Sequence, residues 1–547
     1  MKIPRLHFKT LRFLLFLTIL SLTNLSPALT VTVPMAIPVS TSSSYSYEFM
    51  VDENGFTQVT VDYSSSVSGY SWVFVPNFTG WNWEVSSGAL LHTNIVETTR
   101  VINADYYFYR AFNFSFKPRG SFTMRIQFNM STGALIIEPR GMFFSPLIGF
   151  KEGSSASAEV FLPKGYKMVS GHALALGSLN YPPDEVFPSR DSARFDLREN
   201  LIRLQIEFLT KVATPEVVTF TQGNFAFNAV KRYEGYASDI LGLFNSVYDN
   251  LVNLFNVTLE NVDAQFFIPD FNAFLSLGGY VPFTGGEIGA IHINIAFTRF
   301  IKGILEVIAL HELVHHFLWK TGVSPDDLLW FHEGMAQYVS IESVMRWYSP
   351  GYEGASSEKE RLEESAAQIN QSTGGNFNFL LQWKPENPPP NISSYYAAAY
   401  YVTGRLAEKH EGLEYYRRFF ELIKRREVRD NDLLAYYLSL AANASVAQTL
   451  QEWGFNVANL YTLTEEVRGA INKLNPMFQP YKSIAEYLYQ QALIKLEEGD
   501  GKRASQLLRT ALFVANSAPL LTLLIMVAIL IALIYLSRSR KPETALP

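Results

Sequence analysis

Ala309-Leu310-His311-Glu312-Leu313-Val314-His315-His316-Phe317 sets two histidines four residues apart, with a glutamate directly after the first. Its other positions are mostly apolar, which predicts a buried helix from about Thr298 to Trp319. Residues i and i+4 share one helix face, so His311 and His315 can direct ring nitrogens at one point. Glu312 is rotated about 100° from His311 and borders the same cavity. A carboxylate in such apolar surroundings is expensive unless something there uses its charge. The partner stretch is Leu329-Trp330-Phe331-His332-Glu333-Gly334-Met335-Ala336-Gln337-Tyr338. Glu333 lies eighteen positions after His315 and heads a second helix, to about Trp347, that can pack antiparallel to the first.

Two imidazoles and a carboxylate are zinc ligands, and three protein ligands leave a fourth position open for water and substrate. Zinc lowers the pKa of water from about 15.7 to about 7, and Glu312 is placed to take the proton. His311, His315 and Glu333 are therefore expected to hold Zn2+, with Glu312 as general base. In this reading Gly334 lets the second helix approach the first, and Trp330 and Phe331 anchor the turn between them. His316 points about 100° away from His315 and is expected in packing or at the surface. His332 competes with Glu333 as a ligand, and His292 is expected to be a structural residue on a strand bordering the cleft. The chain has no cysteine, which excludes disulfides, thiolate ligands and cysteine nucleophiles.

The two ends carry membrane signals. Lys2, Arg5, Lys9 and Arg12 precede the apolar run 13–22 and then Ser26-Pro27-Ala28, which reads as an export signal over residues 1–29. Residues 519–536 are apolar throughout and are followed by Arg538, Arg540 and Lys541. That length spans a bilayer, and the cations place the tail 538–547 in the cytoplasm. The expected location is thus the cell membrane, single-pass, with residues from about 30 to 515 outside. Seven N-x-S/T sequons, at Asn77, Asn113, Asn129, Asn256, Asn370, Asn391 and Asn443, are compatible with an exported glycoprotein. The net charge of −6 argues against a general nucleic-acid binder.

Between the ends, 547 residues allow roughly three or four domains. Period-two runs such as Phe56-Thr57-Gln58-Val59-Thr60-Val61-Asp62-Tyr63 predict an antiparallel β-sandwich over 30–225. The period then changes: an amphipathic helix over 236–255, strands near 263–269 and 290–295, and the two helices above predict an α+β catalytic domain over 226–455. Residues 348–391 are rich in Gly, Ser, Asn and Pro and predict an irregular or partly helical excursion. Residues 484–493 and 504–512 predict a helical hairpin, read as part of a membrane-proximal stalk over 456–517, ahead of the transmembrane helix 518–537.

His311-Glu312-x-x-His315 with Trp330-x-x-Glu333-Gly334-x-Ala336-x-Tyr338 resembles the gluzincin metallopeptidases, in particular their aminopeptidase-N-like branch. The resemblance covers about residues 230 to 455, and implies a thermolysin-like catalytic domain that hydrolyses peptides or proteins with zinc. Seventeen residues separate His315 from Glu333, against eighteen in that family. The family also uses a tyrosine in a Tyr-x-x-Gly setting as oxyanion donor; Tyr401-Val402-Thr403-Gly404 fits, with Tyr400 next and Tyr395 and Tyr396 further back. Its amine-gripping Gly-Ala-Met-Glu-Asn strand is missing. Gly285-Gly286-Glu287-Ile288-Gly289 is the nearest stand-in, with Glu287 as substrate anchor or as a turn residue. The strand over 288–295 is a candidate for pairing with an extended peptide. Aminopeptidase and endopeptidase readings both remain open, as does a non-catalytic surface protein with a structural zinc site.

Overall fold

The structure is a computed structural model that describes residues 11–12, 42–175, 180–270, 277–284, 287–423 and 426–539. The expected export signal (Leu11–Arg12 apart), Gly285–Gly286, and the tail from residue 540 onward lie outside the described residues. What is described is a mixed α+β, multidomain chain: β-rich at its N-terminal side, helical at its C-terminal side, with one long apolar helix.

Alternation builds the β-rich part. Tyr45, Tyr47 and Phe49 are buried from Ser43–Val51, and Phe112, Phe114 and Phe116 from Tyr109–Lys117. They meet in one core, where Tyr63 stands edge-on to Phe114 and Phe116 with centroids 5.1 and 5.4 Å apart. Sheets of seven, four and three strands surround this core. Their pairings are antiparallel with one exception: Ser155–Phe161 runs parallel to Ser43–Val51. The all-antiparallel expectation fails there because a long excursion separates the two strands, and a returning chain can pair in either direction.

A five-stranded sheet carries the second part, in the order Val217–Gln222, Phe225–Val230, Val262–Phe267, Ile291–Asn294, Gly279–Tyr280. The inner three strands are parallel, and both edge pairings are antiparallel. Helix α1 (Glu234–Phe255) makes the crossover between the first parallel pair, burying Ile240, Leu241, Phe244, Val247 and Leu251. The expected boundary at 225 is therefore corrected: it cuts the hairpin of Val217–Gln222 with Phe225–Val230, whose two-residue loop binds both strands to this sheet. The turn from sandwich to sheet lies between Leu209 and Val217.

Helix α2 (Ile304–Thr321) follows the sheet and is buried on nearly every side, as an apolar sequence without a polar face requires. It starts later than 298, because Ile295–Arg299 forms a 3-10 turn capped by the Asn294 side chain. The Glu306 carboxylate, which accepts from the Gly303 amide at 2.7 Å, fixes the start of α2. Helix α3 (Leu329–Trp347) is equally buried and packs on α2. The stretch expected to be irregular or partly helical contains a regular helix, α4 (Tyr352–Thr373), which buries Ala355, Leu362 and Ala366 on one side. Helix α5 (Ile392–Lys409) lies across α3.

Helices α6 (Leu413–Ile423), α7 (Asn431–Ala442), α8 (Val446–Glu452), α9 (Leu460–Lys473), α10 (Gln479–Glu497) and α11 (Gly501–Ser539) complete the chain. The expected hairpin is α10 with α11. It is not a separate stalk: Leu460, Val467, Leu496, Ala504 and Leu508 belong to the same continuous core as α2 and α3. The expected division at 517/518 also falls inside α11, which is one helix.

Candidate active site

Four of the expected site residues come together at the centre of α2 and α3. His311, His315 and Glu333 are buried, and their ligand-type atoms all lie within 4.8 Å of one another. Glu333 Oε2 stands 3.0 Å from His311 Nε2 and 3.6 Å from His315 Nε2. Ligands held about 2.0–2.1 Å from a tetrahedral zinc are about 3.3 Å apart, and the two distances bracket that value. The three groups therefore fit a zinc ion.

Glu312 lies beside them, with no exposure and with neither carboxylate oxygen hydrogen-bonded among the described residues. Without a metal, burial and the neighbouring charge of Glu333 push its carboxyl well above the usual range. Burial likewise raises Glu333, opposed by the His311 ring and the Tyr396 hydroxyl. A buried carboxyl that no protein group satisfies is costly in a folded core. The cost is understandable where a cation and a reacting water complete the site.

Several side chains hold this group in place. His315 Nδ1 and His332 Nδ1 share a proton across 2.8 Å, with the rings stacked at 4.9 Å. His332 thus orients His315 through its second nitrogen and does not compete with Glu333 for the ligand position. Trp330, buried, donates from Nε1 to Asn431 Oδ1 at 2.8 Å and meets Phe455 at 5.1 Å, so it anchors the start of α3. Gly334 does permit a close approach, but of α5. A Cβ there would sit 2.6 Å from the Ala399 oxygen, and Thr403 Oγ1 donates to the Gly334 carbonyl at 3.1 Å. The expected approach to α2 is corrected accordingly. His316 is buried in packing, and burial pushes it down to about 3.

The tyrosine is the main correction. Tyr401 does not face the site: its ring lies 5.3 Å from Phe377 and 6.4 Å from Trp453, with the Arg405 guanidinium over it at 5.1 Å. Tyr400 packs against Tyr338 at 6.4 Å. Tyr396 is the one brought to the centre, its ring 6.3 Å from His311 and its hydroxyl hydrogen-bonded to Glu333. Five residues along a helix are about 500° of rotation, so Tyr401 is turned about 140° from Tyr396. Burial, with the charges of Glu333 and Glu312, raises Tyr396 well above the usual phenol value and keeps its proton on.

One further expectation is revised. Ile291–Asn294 is paired on both sides, with Val262–Phe267 and Gly279–Tyr280, and cannot add a substrate strand. The sheet order ends instead at Gly279–Tyr280, and a Cβ on Gly279 would come 2.8 Å from both Cγ and Oε1 of Glu312. Sequence reasoning missed this glycine. Its signal was Leu277-Gly278-Gly279-Tyr280, a glycine pair with no motif to mark it. Glu287 is exposed, on a short strand paired with Pro282–Thr284. His292 stacks on Tyr280 at 4.4 Å and contacts Gln265 at 3.0 Å, a structural role as expected.

No family model matches the chain, and no curated protein matches it. Among solved structures, it is similar to yeast LTA4 hydrolase in complex with bestatin, with 10% identity and a TM-score of 0.32 over 87% of this chain and 86% of that one. It is similar to native leukotriene A4 hydrolase from Saccharomyces cerevisiae, with 12% identity and a TM-score of 0.31 over 87% and 81%. An aminopeptidase N family protein from Idiomarina loihiensis aligns with 13% identity and a TM-score of 0.31 over 75% of each chain.

Proposed function

We propose that the protein is a membrane-anchored zinc metallopeptidase whose catalytic part faces outward. The observation that carries the reading is the Glu312 carboxyl, buried and unsatisfied beside the His311, His315 and Glu333 group. A structural zinc site has no use for such a base. When bound by those three residues, a zinc ion supplies a Lewis acid that polarises a carbonyl and acidifies water. Glu312 takes one proton from the attacking water as the C–O bond forms. It returns that proton to the leaving nitrogen as the peptide C–N bond breaks. Tyr396, protonated, donates to the oxyanion that develops on the former carbonyl oxygen. Gly279, against Glu312, brings the backbone of its strand nearest the base, where an extended substrate would run.

The internal-bond reading is favoured over the aminopeptidase one by the acids themselves. Among the described residues the other buried glutamates are engaged elsewhere: Glu306 caps α2, Glu342 pairs with Arg346 and Lys359, and Glu358 pairs with Arg361. Glu287, read from the sequence as substrate anchor or turn residue, is exposed. The membrane placement is supported by the apolar end of α11 and the cations that follow it.

The test is Glu312→Gln in the full chain. Zinc content stays at the parent value and hydrolysis of a mixed fluorogenic peptide library falls at least about 100-fold. Parent-like hydrolysis by that variant sinks the proposal. Amino-blocked and free-amine peptides, compared on the parent chain, separate cleavage of internal bonds from removal of terminal residues.

A further inference from the structure

Helix α11 does two things without a break. Ala504, Leu508, Ala511, Ala515 and Ala518 are buried in one stripe, at spacings of four, three, four and three. That is a knobs-into-holes seam, and it faces α10 and α9. From Leu520 onward the large apolar side chains, Leu521 apart, are 45–74% exposed, and the apolar stretch is 0% buried with a mean hydropathy of 2.9. The half that packs on the catalytic unit and the half suited to lipid are therefore one continuous helix with no loop between them; Pro519, which has no N–H to give to the Ala515 carbonyl, marks the junction, and the rigid part is the packed stretch before it.

The upper end of the rod is tied to the metal centre. Gly501 sits against the Asp430 carboxylate, where a Cβ would meet Oδ1 at 3.1 Å. Val428 donates to the Gly322 carbonyl at 2.9 Å, and Ser324 donates to the Val428 carbonyl at 3.1 Å. Asn431 accepts from Trp330, three residues before Glu333. The loop joining α2 to α3 is thus fastened to the start of α11. From Gly501 to Pro519 there are 18 steps, about 27 Å of helix at about 1.5 Å each. The 19 residues of α10 run back alongside, about 28 Å, and bring its N-terminal end level with Pro519. There the turn Leu474-Asn475-Pro476-Met477-Phe478 contacts α11, with Met477 65% exposed and Lys473 and Lys482 on either side. An apolar tip flanked by lysines suits a headgroup surface and gives the unit a second point of support.

We infer that α11 is a rigid strut that holds the active site on the order of 27 Å above the bilayer, and that the substrates are proteins anchored in the same membrane, cut at or beyond that height. The inference rests on the peptidase reading and on α11 as the membrane span. A shared membrane raises the effective concentration of an anchored substrate towards the millimolar range. The strut adds a lower limit on distance. An extended chain covers about 3.3–3.6 Å per residue, so about eight residues must separate the substrate's own span from its scissile bond.

The experiment reconstitutes the full chain in phosphatidylcholine vesicles. The reporters are single-span polypeptides carrying a sequence that the enzyme cuts as a soluble peptide, spaced from the span by Gly-Ser segments of increasing length. Cleavage is expected to be absent below about eight spacer residues and rapid above. A second enzyme carries a helical insertion of about seven residues between Ala518 and Pro519, which lengthens the strut by about 10.5 Å while keeping its face. Its threshold is expected to rise by about three residues, with soluble-peptide hydrolysis unchanged. An unmoved threshold, or equal cleavage of the shortest reporter, with soluble peptide still cut by both enzymes, overturns the strut alone. Failure of the parent chain to cut any soluble peptide overturns the peptidase reading and the strut with it.

Discussion

Gly279→Ala tests the placement of the general base without touching a ligand. The added methyl would stand 2.8 Å from Glu312 Cγ, 2.8 Å from Glu312 Oε1 and 2.8 Å from the His292 carbonyl oxygen. Carbon atoms rest at about 3.5–4.0 Å, so the overlap with Glu312 is about 1 Å. The His292 carbonyl belongs to the backbone of Ile291–Asn294, which is paired on both sides and cannot yield. Glu312 or the 279–280 strand must therefore move by most of that distance. A reacting group misplaced by about 1 Å costs about 100-fold in rate, or about 2.7 kcal/mol of barrier. The expected result is a kcat lower by about 100-fold, a KM within a few-fold of the parent, and an unchanged zinc content. Steady-state kinetics on a fluorogenic peptide with metal analysis of the same sample reads all three. A Gly279→Ala protein with parental kcat and parental stability would show that Glu312 is not wedged by this strand, and the proposed substrate path would go with it.

The other expectations concern the same centre. Tyr396→Phe should lower kcat by about 100- to 1,000-fold with zinc retained, whereas Tyr401→Phe should leave kcat within a few-fold; the reverse order restores the Tyr-x-x-Gly assignment. His332→Ala should weaken zinc affinity by about 10- to 100-fold, read by competition with a chromogenic chelator, and parental affinity would remove His332 from the support of His315. Zinc at about one hundred times its Kd should stabilise the apo protein by about 2.7 kcal/mol, seen as a rise in Tm that Glu333→Ala largely abolishes; a rise of the same size in that variant places the binding elsewhere.

The candidate metal ligands were legible because two of them share one helix face and the third opens the next helix, so local periodicity alone brings them close. The tyrosine was not. Tyr395, Tyr396, Tyr400 and Tyr401 all lie on α5, and sequence spacing admits any of them. The choice is made by the rotation of α5 about its axis, which is fixed where Thr403 and Ala399 close on Gly334. That contact is between residues about seventy positions apart, and no local pattern reports it. The boundary near 225 failed for a related reason. Val217–Gln222 alternates like the strands before it, and only its partner, Phe225–Val230, assigns it to the second sheet.

The stalk was misread although its signal was present. A stripe of Ala504, Leu508, Ala511, Ala515 and Ala518 repeats at the spacing of a packed helix seam, and it runs without interruption into the apolar span. A solvated stalk has no reason to keep small apolar residues on one side for five successive contacts. Small residues let helix axes approach closely, and close helices resist bending where they touch. The sequence from 501 to 518 therefore describes a helix built into the helical core, and the residues after Pro519 continue it without a loop. What had looked like two segments, one to carry the enzyme and one to anchor it, is a single element. With α11 as the proposed membrane span, the distance between the candidate metal site and the bilayer is a property of the fold, open to change by helical insertion in a way that a flexible tether would not be.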